Sequence, residues 1–222
     1  MLAAGADSAE STTALDQLCR TYWYPLYAYV RRFGHGVQDA QDLTQAFFAE
    51  LFNKSYLRAA DRERGKFRSF LLTAFRHFLA HEWEKTRAAK RGGGVPSLYL
   101  DEQTAEELYQ QEPVTVDAPD RLYDRTWALR VFEQSLARLR QESEAQGKTP
   151  HFEELKSFLS HEPAPGAYAV VAANLDLSPN AVAVAVHRLR QRYAVLVRDS
   201  VAQTVAQPGQ VEEELRYLIS LI

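Results

Sequence analysis

An all-α fold of two small helical domains joined by an acidic linker is what this sequence predicts, and three observations predict it. Apolar residues recur at spacings of three and four along most of the 222-residue chain, the period of a helix face. Glycine and proline punctuate those stretches at Gly34 and Gly36, Gly92 to Gly94 with Pro96, Pro113, Pro119, Pro163 and Pro165, where helices end. Strand-like alternation is confined to residues 181–186, which run straight into an Arg-rich helical pattern.

The elements follow in order. Thr12 and Thr13 cap a first helix carrying Leu15, Leu18, Tyr22, Leu26, Tyr29 and Val30, and Phe33-Gly34-His35-Gly36 stops it. A second helix starts near Val37 to Asp39 with Leu43, Phe47 and Leu51 on one face. Asp39 and Asp42 suit its positive N-terminal end. Residues 53–66 are polar, basic and closed by Gly65, a loop. A third helix spans roughly residues 67–90 with Phe67, Leu71, Phe75, Phe78 and Leu79 inward. The connector over residues 96–119 has room for one short helix. A second helical domain begins near Asp120 with Trp127, Val131, Phe132, Leu136 and Leu139 as one stripe and Phe152, Leu155, Phe158 and Leu159 as the next. Residues 167–175, a break at Asp176-Leu177-Ser178-Pro179 and a helix from Asn180 to about Val205 follow. Val211, Leu215, Leu218, Ile219 and Ile222 mark a last amphipathic helix after Pro208-Gly209.

Composition narrows the class. Apolar residues are 46% and aromatics 11% of the chain, enough for a packed core rather than a disordered chain. A single cysteine, Cys19, forms no internal disulfide and fits a reducing compartment. No apolar run approaches the ~20 residues of a membrane span, and residues 1–13 lack the basic start and apolar stretch of a secretion signal. The expected location is the cytoplasm, with no membrane contact. No nucleotide-binding glycine loop, paired catalytic carboxylates or His/Cys cluster stands out, so the expectation is no enzyme, no cofactor and no metal site.

Net charge is −3, but its distribution is uneven. Residues 61–91 hold nine Lys/Arg against four Asp/Glu, residues 187–198 hold four arginines and no acid, and residues 100–120 hold seven acids and no base. Two basic working surfaces joined by an acidic connector are the pattern of a nucleic-acid binder.

Residues 167–193 have the layout of a helix-turn-helix. Ser178 supplies an N-cap and Pro179 the first helical position. Val182, Val186, Leu189 and Tyr193 make an inward face, while Asn180, Ala181, Val184, Ala185, Arg188 and Arg192 point outward, where base-edge and phosphate contacts belong.

Three strings carry a family resemblance. "YWYPLYAYVRRFG" followed by "DAQDLTQAFFAELF", then "GKFRSFLLTAFRHFLAHEWEKTRAAKRGG", then "LSPNAVAVAVHRLRQRYAVLVRD" resemble, in order, stretches of the extracytoplasmic-function (ECF) group of bacterial sigma factors of the sigma-70 family. The resemblance implies a factor that directs RNA polymerase to specific promoters and aids their opening. It implies a region-2-like domain over residues 10–95, the linker over 96–119, a region-4-like helix-turn-helix domain over 120–207 and a C-terminal helix over 208–222. It assigns core polymerase binding, on the clamp of the largest subunit, to Asp39, Asp42, Leu43 and Gln45. To the −10 element it assigns Arg62, Arg64, Lys66, Arg68, Arg76, His77, Trp83 and Arg87, a cationic track with stacking partners for unstacked bases. To the −35 element it assigns Ser178, Asn180, Val184, Ala185, His187, Arg188, Arg190 and Arg192. Core polymerase and promoter DNA are the implied partners, with an anti-sigma factor or a Ser/Thr kinase as candidate regulators.

Two positions depart from the family pattern. Gln41 stands where an acid is usual, and Ala183, Val184 and Ala185 stand where lysine, serine and arginine are usual. Thr44, three residues after Gln41, is a position where a phosphate would restore negative charge. The alternative reading is a helix-turn-helix regulator that never engages polymerase.

Overall fold

The computed structural model describes residues 3–53, 65–88, 102–112 and 118–222, with side chains described over 16–52, 65–84, 105–112 and 118–222. Among the described residues there are nine α-helices and no strand. They are α1 (Ala3–Arg32), α2 (Val37–Asn53), α3 (Phe67–Ala88), α4 (Glu102–Gln111), α5 (Pro119–Ala145), α6 (Thr149–Leu155), α7 (Ala167–Leu175), α8 (Pro179–Ala202) and α9 (Val211–Ile219). Short 3-10 turns at Lys156–Leu159 and Pro208–Gln210 precede α7 and α9. No single helix among the described residues is long and apolar enough to cross a membrane.

Packing divides the chain into two compact units, Met1–Arg130 with Thr204–Ile222, and Val131–Gln203. That grouping differs from boundaries drawn at residues 95, 119 and 207. The change of unit falls inside the continuous helix α5, and the C-terminal helix joins the N-terminal unit.

In the first unit α1 is longer than its cap signal at Thr12 and Thr13 indicates, since the helix starts at Ala3 through residues rich in alanine. It ends where Gly34, at φ +88°, adopts a left-handed conformation that a side chain would resist. Leu26, Tyr27, Ala28 and Val30 of α1 are fully buried with Phe48 and Leu51 of α2 and Leu71 and Phe75 of α3. Aromatic rings dominate this core: Phe47 lies 4.8 Å from Phe75 and 5.6 Å from Phe78 between ring centroids. Tyr123 and Trp127 of α5 complete it, both without exposed surface.

The linker contributes a docked helix. Glu106 of α4 accepts from Arg31 Nη2 at 2.9 Å and Arg31 Nε at 3.0 Å and from the Tyr27 hydroxyl. Glu112 accepts from Tyr24 and from Arg125, each at 3.0 Å. Acids that read as a solvated connector are therefore spent on fixing α4 to α1 and on a tie to α5.

The second unit holds two apolar clusters. Leu155, Phe158, Val171, Ala172, Val182 and Val186 form one; Leu139, Phe152 and Leu196 form the other, with Leu189 packed against both.

Candidate nucleic-acid interface

The turn between α7 and α8 is built locally. Asp176 ends α7 at φ +53°, a left-handed conformation that Asp tolerates better than most residues, and Leu177 N–H closes back on the Ala172 carbonyl at 2.9 Å. Ser178 is extended, and its hydroxyl accepts from Ala181 N–H at 3.2 Å. Pro179 then takes a first-turn position that has no use for an N–H. The two helices cross at 97°, within the range of a helix-turn-helix.

The faces of α8 fall as the 3.6-residue period requires. Val182 and Val186 are buried, Leu189 and Tyr193 pack on the clusters, and the Tyr193 hydroxyl donates to the Phe132 carbonyl at 3.1 Å. Asn180, His187 and Arg188 are exposed, Val184 is 43% exposed and Ala185 is half-buried. Ser178 is exposed, with its oxygen engaged as the cap.

The arginines of α8 are not equivalent. Arg188 has no hydrogen-bond or ion-pair partner among the described residues. Arg190 donates to the Phe158 carbonyl at 2.8 Å and the His161 carbonyl at 2.9 Å, tying α8 to the segment between α6 and α7. Arg192 grips Glu142 through two hydrogen bonds of 2.7 Å. That contact holds the Glu142 carboxyl below its usual range, burial opposing the shift. Lys148, Arg188 and Arg192 share a groove of about 310 Å³ with Glu142.

In the first unit Asp39 and Asp42 are exposed on α2 and Leu43 is half-buried. All three line a groove of about 720 Å³ with Arg76 and Trp83 of α3. Gln45 does not share that surface. It is 7% exposed, because the six residues that separate it from Asp39 rotate it some 120° away. Gln41 and Thr44 share one face, as their spacing implies, but that face is buried at 6% and 0% exposure. Thr44 donates its hydroxyl to the Ala40 carbonyl at 2.7 Å, so a kinase reaches it only if α2 leaves its place.

On α3, His77 is exposed and Trp83 is 63% exposed. Arg76, Ala80 and Trp83, at offsets of four and seven, line the same groove. Arg76 Nε donates to the Tyr29 hydroxyl at 2.8 Å, and Nη2 pairs with Asp120. Those two partners, against the opposing pull of burial, raise its already high pKa. Arg68 is 5% exposed, held between Glu214 and Asp124, and Lys66 pairs with Glu214 at 2.5 Å. Arg62 and Arg64 lie outside the described residues, as does the Arg87 side chain.

The carboxylates that answer these cations, Asp120, Asp124, Glu142 and Glu214, are what the sequence did not reveal. Asp120 and Asp124 sit one helical turn apart, and Arg68 and Arg76 two turns apart, but nothing in one string points to the other. Among the described residues no His/Cys/Asp/Glu cluster is arranged to hold a metal.

Compared with known proteins, the chain finds no match among curated sequences or solved structures. A family model described as "ECF sigma factor" matches residues 7–198, spanning α1 to α8 and hence both basic helices and the helix-turn-helix. With most of its length matched in this way, the chain belongs to the ECF sigma factor family.

Proposed function

We propose that this sigma factor, which directs RNA polymerase to promoters and helps open them, divides that work between two faces. Helix α8 enters the major groove of the −35 element with Asn180, Val184, Ala185 and Arg188 forward. Helix α3 and the basic segment before it take the −10 strand along Arg62, Arg64, Arg76 and Arg87, with His77 and Trp83 as stacking partners for its bases. Asp39, Asp42 and Leu43 of α2 meet the clamp of the polymerase's largest subunit, in the cytoplasm, and an anti-sigma factor is the regulator class that competes for such surfaces. The family match favours this reading over a free-standing regulator.

The observation that carries it is the two-faced α8. Its inward side is consumed by the core, with Ala185 packed at the edge of that core, while Arg188, which has no partner among the described residues, stands exposed beside the exposed Val184. Val184 and Ala185 neither donate nor accept hydrogen bonds, but they fit thymine methyls in the major groove. A −35 preference with few polar base contacts follows.

Footprinting and run-off transcription with core polymerase test it. Arg188→Ala is expected to cost about 1–3 kcal/mol and to relax preference at one base pair. Protection upstream that is unchanged in strength and sequence preference by Arg188→Ala would remove α8 from the groove. Reversing Asp39 and Asp42 to lysine is expected to weaken core binding with helicity intact.

A further inference from the structure

Two basic residues at the start of α3 are already occupied, and what occupies them comes from the far end of the chain. Glu214 of α9 has no exposed surface. Its Oε1 accepts from Arg68 Nε at 2.7 Å and its Oε2 lies 2.5 Å from Lys66 Nζ. The second side of the Arg68 guanidinium pairs with Asp124, which also accepts from the Tyr217 hydroxyl at 2.6 Å. The guanidinium lies over the rings of Tyr217 at 5.1 Å and Trp127 at 5.6 Å. Phe67 N–H donates to the Thr204 carbonyl at 2.9 Å, where the segment joins the unit. Val205, Val211, Leu215 and Leu218 are buried along it.

This segment lies beyond the family match, which stops at residue 198. Its contact differs in kind from an ordinary apolar helix seat. A buried ion pair is weak evidence for stability in itself, because desolvation offsets the attraction, and its best-attested use is in register or switching. A carboxylate, like a phosphate, can offer one oxygen to a guanidinium and another to a neighbouring ammonium, as Glu214 does to Arg68 and Lys66. Glu214 thus holds the place on Arg68 and Lys66 that a nucleic-acid phosphate would take.

We propose that the segment Thr204–Ile222 is an intramolecular lid on the −10 surface, in which Glu214 substitutes for a backbone phosphate at Lys66 and Arg68. In the free protein these two cations are neutralised. When single-stranded promoter DNA is engaged, α9 leaves and phosphates replace Glu214. The lid rests on the reading of α3 as the strand-binding helix, and the test below separates the two.

The test uses the full chain and a fluorescent single-stranded oligonucleotide, with affinity measured across a salt series. E214Q keeps the shape and removes the charge. It is expected to bind more tightly than the parent, with a log–log salt slope steeper by about 1.4, since each phosphate contact on a single strand contributes about 0.7. Leu218→Asp, which forces a charge into the seat of α9, is expected to do the same. Hydrogen exchange of residues 211–219 in the parent is expected to speed up on adding the oligonucleotide. If both variants bind no better and only melt earlier, or if Leu218→Asp unfolds the N-terminal unit, α9 is a permanent structural part and the lid is overturned. Arg76→Ala identifies which idea failed. If it weakens binding while E214Q changes nothing, the lid alone is wrong. If it has no effect in either background, α3 is not the strand-binding helix and the lid falls with it.

Discussion

Arginine side chains of one basic helix have different fates, and their partners decide which of them remain available to DNA. Arg192 is clamped by Glu142, whereas Arg188 one turn earlier has no partner among the described residues. The pair is largely exposed, so it is worth little in stability, but it removes a positive charge from the face proposed to meet phosphate. Glu142→Gln is expected to free Arg192 and to steepen the salt slope of duplex binding by about 0.9, one phosphate contact on B-DNA. An unchanged slope in a salt titration would mean that Arg192 never reaches the backbone. Acid sensitivity is also set at single residues. Arg31 holds the Glu106 carboxyl below its usual range, with burial opposing. For Glu214 burial pushes upward, and Arg68 and Lys66 outweigh it to give a net lowering. A lowered folded-state pKa contributes stability that is complete above the unfolded value, ~4.3, and is lost as pH falls through the folded one. Melting temperature is therefore expected to fall as pH drops below ~4.3, and E214Q is expected to flatten that dependence.

Helix ends and helix seats are the next scale. The entry to α8 rests on one capping hydroxyl, and Ser178→Ala is expected to cost about 1 kcal/mol, read as a lower urea midpoint. The defect belongs to the turn: the Val182 and Val186 seats are untouched, so the helix-turn-helix survives in weaker form. Helix α4 is held chiefly by Glu106, with Glu112 just past its end as a second tie. Glu106→Ala leaves Arg31 and Tyr27 facing each other without their acceptor. A loss of about 1.5–3 kcal/mol is expected, the usual worth of a hydrogen bond to a charged group, with faster hydrogen exchange confined to residues 102–112. A uniform change across the unit would instead mean that α4 is not separately held.

The whole chain is arranged as an N-terminal unit that recovers its own C-terminal segment after the helix-turn-helix unit has been completed. Cutting at the sequence boundary, to give residues 120–222, strands Val211, Leu215 and Leu218 away from Lys66 and Arg68. That fragment is expected to bind a hydrophobic dye and to self-associate. The fragment Val131–Gln203 is expected to do neither and to keep its helical signal. Equal behaviour of the two would mean that α9 finds no seat of consequence on the N-terminal unit.

What the sequence settled by itself is what depends on near neighbours. The helical class, the break at Gly34, the Ser178-Pro179 entry and the buried line Val182, Val186, Leu189 and Tyr193 all follow from spacings of a few residues. So did the family, because its strings are local. The exposure of Asp39, Asp42, His77 and Arg188 agrees with the same periodicity. Gln45 and Thr44 are buried because α2 turns a wider arc inward than the stripe of Leu43, Phe47 and Leu51, with Ala40 and Phe48 sharing their side. Tertiary structure alone decided the fate of the charges. Lys66, Arg68 and Arg76 form one cationic run in sequence, and only folding brings Glu214 from 146 positions away, with Asp120 and Asp124 from another helix. Charge pairing acts through space at a few ångströms and carries no periodic trace along the chain, so the acids that govern this surface became visible only when the helices were packed.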